Sequence, residues 1–200
     1  MKRTQSATRI GLRYFLRGRL KINGDTSRIV VRLDQWAATV LAEGFDDAIA
    51  EIPGAKTSES VPDVIRTIAD YLTKNVKGLE GDVLRKSLQE TLFLTLGARS
   101  SGVGSRLNGP LTAFLRRRGS AGLLRRFLRL HLFNVVWFET SESFRAVAQT
   151  QNSFVQDMER VERACQRIVD SAWRSQKMHG TLDRFSAREI INRIEQLINS

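Results

Sequence analysis

From Leu123 to His179 the chain contains neither glycine nor proline, and no proline occurs after Pro110. Read as one unbroken helix, that run would extend ~85 Å at the usual rise per residue. It reads instead as two helices with a joint near Glu139-Thr140-Ser141-Glu142. The second, Ser141–Met178, has the clearest period in the chain. Phe144, Val147, Phe154, Met158, Val161, Cys165, Ile168 and Ala172 follow a three-and-four spacing, which is the signature of a bundle or coiled-coil face. The outer face carries Glu159 four residues before Arg163 and Asp170 four before Arg174. Such pairs add a few tenths of a kcal/mol each, roughly 0.2–0.5. The expected fold is mainly α: a helical bundle with one long helix over 141–178.

Two hundred residues suffice for one domain or two small lobes with a real core. The single cysteine, Cys165, excludes a disulfide framework within the chain and a zinc site built on cysteines. Its place on the apolar stripe predicts a buried, inert thiol. No apolar run reaches the roughly 18–20 residues of a membrane span, and the densest, Phe127–Phe138, is broken by Arg129, His131 and Asn134. No secretory signal is visible. The first 22 residues are basic and free of acids, a composition that imitates a mitochondrial presequence. The expected location is cytoplasmic.

The formal charge of +11 becomes informative once it is placed. Residues 1–33 hold nine Lys/Arg against one acid, and residues 34–90 hold six against eleven. Residues 91–138 hold eight arginines and no acid, and residues 139–200 hold nine of each sign. The excess therefore sits in two blocks, the segregation expected of a protein with an anionic partner.

Along the chain, residues 4–17 can form a helix with Arg9, Arg13 and Arg17 in one line, suited to a phosphate track or simply to a solvated face. Arg19–Ile22 and Arg28–Leu33 are β-prone runs around Asn23-Gly24-Asp25, which predicts a small hairpin. Asp34 is expected to cap a short helix ending near Gly44. Pro53–Glu59 is the loop chosen as boundary between a basic N-terminal lobe, 1–52, and a helical bundle, 60–200. Ser60 and Asp82 are expected helix caps. Gly97–Pro110 is glycine- and serine-rich and carries Arg99 and Arg106, so it reads as a loop able to order around an anion. It lacks the lysine ending of a P-loop and the third glycine of a dinucleotide fingerprint.

Leu111–Arg118 and Leu123–Phe138 follow as helices joined at Gly119–Gly122. Arg116, Arg117 and Arg118 end the first, and Arg125, Arg126 and Arg129 open the second. Cations at a helix N-terminus oppose its dipole by roughly 0.3–1 kcal/mol each. Tolerating them implies a counter-charge, either from the acidic 34–90 segment or from an external polyanion. Every basic residue in this block is arginine, the side chain fitted to bidentate phosphate contacts. Near the end, Ser186 to Glu189 reads as a capping box, flanked by a Phe185–Ile190 staple, opening a helix that packs through Ile190, Ile191, Ile194, Leu197 and Ile198.

Signatures of catalysis are missing. His131 and His179 are too few for a histidine metal centre, no Glu-x-Lys nuclease element occurs, and no Gly-x-Ser-x-Gly elbow is found. The pairs Asp46/Asp47 and Glu80/Asp82 have no basic or histidine companion, so surface solvation or capping accounts for them. The chain is expected to be no enzyme and to need no cofactor, metal or small-molecule substrate. The leading expectation is a nucleic-acid-binding subunit of a larger complex, binding DNA or RNA without sequence choice. Arg99, Arg106, Arg116, Arg117, Arg118, Arg125, Arg126 and Arg129 would grip the backbone, with Arg9, Arg13 and Arg17 extending the track. The alternative is an adaptor that docks other protein subunits through Phe144, Phe154, Met158, Ile194 and Ile198. Attachment to anionic lipid through residues 1–22 ranks last, because it leaves Arg116–Arg129 without a task.

Overall fold

The computed structural model describes Ile22 and residues 24–56, 60–96, 105–147, 151–175 and 182–199; side chains at 105–108 and 141–147 fall outside that description. Among the described residues there are seven helices and no strand: α1 (Gly24–Ala42), α2 (Phe45–Ala50), α3 (Val61–Leu72), α4 (Gly78–Leu96), α5 (Ser105–Val147), α6 (Gln151–Arg174) and α7 (Arg184–Asn199). The architecture is a helical bundle. The second half of α5 runs through its middle, flanked by α1, α4 and α6, while α7 closes against α1 and α6. No described helix is long and apolar enough to cross a membrane.

The expected hairpin is not supported. Arg19–Lys21 and Asn23 lie outside the described residues, and Gly24–Ala42 is helix throughout. Ile29, Val30, Leu33, Trp36, Ala37 and Val40 are all buried, a helical rather than alternating period. The β-branched Ile29-Val30-Val31 run favours a strand only by propensity, which burial against α5 and α7 overrides. Asp34 does not cap a helix either. It lies mid-helix and buried, where its Oδ2 accepts the backbone N–H of Leu182 at 2.7 Å. Arg32, from the same helix, donates to the carbonyls of Leu72 (3.0 Å) and Lys74 (2.9 Å). This gives the last turn of α3 the cation that helix ends favour.

Ser60 caps α3 as expected, accepting from the Asp63 N–H at 3.3 Å. Asp82 lies inside α4 and pairs with Arg85 at 2.7 Å. The far end of the loop expected over 97–110 is helix, since α5 begins at Ser105 and contains Pro110, and residues 97–104 lie outside the described residues. The joint expected at 139–142 is not there: α5 continues to Val147, with Thr140 buried and its Oγ1 donating to the Val136 carbonyl at 2.6 Å. The four residues are helix, with Glu139 exposed and Thr140 buried, and not a break. The single long helix over 141–178 is accordingly divided between the tail of α5 and α6. The terminal helix is present, but its cap is Asp183, whose Oδ1 accepts the Ser186 N–H at 2.7 Å. Phe185 is 69% exposed and staples nothing.

The buried set runs without interruption from Ile22 to Ile198. Residues before Pro53 thus share a core with residues after it. Fully buried side chains such as Phe45, Phe127, Leu33 and Leu88 each contribute roughly 1.5–3 kcal/mol of transfer free energy.

Candidate nucleic-acid interface

The most basic stretch of the described chain is built around a bend. Gly119 interrupts α5 with φ 67° and ψ 175°, a region that is essentially glycine's alone. Gly122 is required for a different reason: a Cβ there would stand 2.5 Å from the Cβ of Arg118. Phe114, before the bend, folds back so that its ring centroid lies 4.8 Å from Cζ of Arg126, after it. The bend therefore turns the Arg116–Arg118 end towards the Arg125–Arg129 turns. Burial, then repulsion from Arg129 and Arg118, holds the Arg126 guanidinium below its ordinary pKa. Like-charge crowding thus reaches across the bend.

The six arginines here have different fates. Arg116, Arg117 and Arg118 are exposed and form no ion pair with another described residue. Arg125 and Arg129 converge on one atom, Oδ1 of Asp170 in α6, at 2.8 and 2.5 Å. Arg126 donates to Thr95 Oγ1 at 3.0 Å. Burial pushes the Asp170 carboxyl up, but hydrogen bonds and charge from Arg129 and Arg125 more than reverse that and hold it below its ordinary value. The counter-charge at this helix start is therefore Asp170, and not the acidic 34–90 segment. Arg9, Arg13, Arg17 and Arg99 lie outside the described residues, as does the Arg106 side chain.

Ser87, Thr91 and Thr95 recur every four residues and line a polar seam between α4 and α5. Ser87 Oγ donates to the Val83 carbonyl and accepts from Asn134 Nδ2 at 3.1 Å. Asn134 also donates to Glu90 Oε2 at 2.7 Å. His131 sits in this seam, 2% exposed, with Nε2 3.2 Å from Thr26 Oγ1 and Nδ1 3.5 Å from Ser87 Oγ. Because the Ser87 proton is committed to Val83, the network assigns the ring proton to Nδ1 and the Thr26 hydroxyl as donor to Nε2. Phe127 stacks on the imidazole at 5.7 Å. Burial lowers the His131 pKa to about 4.

Four of the five residues expected to dock a partner are described. Met158, Ile194 and Ile198 are buried, and Phe154 packs edge-on against Trp137 at 5.7 Å. Phe144 is among the side chains outside the description. A different apolar surface is open: a groove of about 620 Å³ lined by Pro62, Ile65, Phe93, Leu94, Leu130 and Phe133, with Glu90 and Glu162 among its polar lining. Cys165 is buried as expected, and desolvation pushes its thiol up to about 12.

The chain matches no protein-family model, no curated protein and no solved structure.

Proposed function

We propose that the protein is a non-catalytic nucleic-acid-binding subunit that grips the phosphate backbone through Arg116, Arg117 and Arg118 at the α5 bend, within a larger nucleoprotein assembly. The observation that carries this reading is three adjacent arginines, exposed and without an ion pair to any described residue, on a glycine-enforced corner. A carboxylate partner within the bundle would have spent them, as Asp170 spends their neighbours. Exposed guanidiniums on such a corner match phosphate oxygens by charge and by planar donor geometry, and contacts of that kind fix affinity without reading sequence.

The test is salt-dependent binding of duplex DNA and of single-stranded RNA by fluorescence anisotropy. Three phosphate contacts give log K a slope of about −2.7 against log salt on a duplex. Reversal of Arg116–Arg118 to Glu is expected to remove that share of the slope. Absence of binding at low salt, or a reversal variant that binds as wild type does, refutes the proposal.

A protein-docking role is favoured by one separate observation, the open groove where Phe93 and Leu94 are 42% and 58% exposed. Exposed apolar residues clustered over a cleft are commonly covered by a partner. Light scattering during size-exclusion chromatography would register self-association through that groove.

A further inference from the structure

We propose that Asp170 is an internal competitor for the polyanion, withholding Arg125 and Arg129 from it. This rests on the reading of the α5 bend as a phosphate-binding corner. Both guanidiniums reach the same carboxylate oxygen through Nη2, so a single atom absorbs two cations. The Nε of each arginine is buried and has no hydrogen-bond partner. Each guanidinium spends one Nη on Asp170, and the two side chains remain 41% and 31% exposed. A polyanion brings a separate phosphate to each arginine, so neither has to share an acceptor. Asp170 holds both in the free protein because it is tethered to α6 beside them.

The local charge agrees. Arg118, Arg126 and Arg129 are close enough for repulsion to be felt at Arg126, and Asp170 is the one carboxylate paired with this group among the described residues. Its removal leaves a contiguous cationic surface running from Arg116 to Arg129. The carboxylate therefore sets how much of the arginine block a nucleic acid meets, three side chains rather than five.

The experiment compares wild type with Asp170→Asn, which keeps the shape and removes the charge, on one 20-bp duplex across a salt series. Two added phosphate contacts steepen the slope by about 1.8, so the variant's affinity falls by a further ~12-fold between 50 and 200 mM salt. It also binds more tightly than wild type at the low end. Adding Arg125→Gln and Arg129→Gln to the variant abolishes the gain. An unchanged or shallower slope in a folded Asp170→Asn protein overturns the proposal. A second arm needs no variant: phenylglyoxal modification followed by peptide mass spectrometry. In wild type, Arg116–Arg118 are expected to react well before Arg125 and Arg129, and equal rates overturn the proposal. If wild type binds no duplex at low salt, the proposed function falls by itself, and the modification arm still decides the role of Asp170.

Discussion

Lowering the pH from 7 to 5 should destabilise this protein through one side chain, His131. Its imidazole is enclosed by Phe127, Thr26 and Ser87, and burial depresses its pKa from 6.5 to about 4. The folded state thus disfavours the charged ring, and the unfolded chain takes up a proton first as the pH falls. The stability tied to the neutral ring is complete above pH 6.5 and drains away between 6.5 and 4. Proton linkage puts the loss at about 2 kcal/mol by pH 5 and about 3 kcal/mol below pH 4. Asp170 and Asp183 do not confuse the window. Both carboxyls are held below their ordinary range, so what they contribute is lost only at lower pH. Urea denaturation at pH 7, 6 and 5 reads the effect directly: with a slope of about 2 kcal/mol per M, the midpoint falls by about 1 M between pH 7 and 5. His131→Gln keeps a donor and an acceptor but does not titrate, so its midpoint should be level over that range. A wild-type midpoint that does not move, or a glutamine variant that moves as far, refutes the reasoning.

Two other outcomes are expected. Gly119→Ala forces a side chain into a backbone region reserved for glycine, lowering stability by about 1–3 kcal/mol; thermal melts measure it, and duplex affinity should drop with it as the bend opens. Cys165, 2% exposed with its thiol near 12, should resist iodoacetamide at pH 8 in the native protein and react fully in denaturant, as peptide mass spectrometry can show.

Helix type was legible wherever the sequence carried both a cap and a period. Ser60 before the Val64–Leu72 face announced α3, and the Ile190–Ile198 spacing announced α7 although Asp183 and not Ser186 caps it. The first helix was hidden by its own composition: Asn-Gly-Asp beside Ile-Val-Val imitates a hairpin, and only the packing of Ile29, Leu33, Trp36 and Val40 against distant helices decides the matter. At the candidate interface, the arginine block was readable from charge placement alone. What each arginine does was not, because Asp170 and Thr95 lie 41–45 and 31 residues away in sequence. Local pattern cannot pair side chains across such separations. The Ser87-Thr91-Thr95 repeat could have suggested a polar seam, since hydroxyls every four residues on an otherwise leucine-rich face ask for partners.

The bond from Leu182 to Asp34 has a consequence for how the molecule is made. Translation supplies the carboxylate 148 residues before the amide that satisfies it. Sheltering Asp34 earlier means enclosing an anion without that donor, a penalty of about 1–3 kcal/mol. Helix α1 therefore settles fully only once the chain has passed residue 182, and a nascent or clipped chain ending short of it lacks the share of the cover over α1 that α7 supplies. Such fragments should be prime clients for chaperones and proteases.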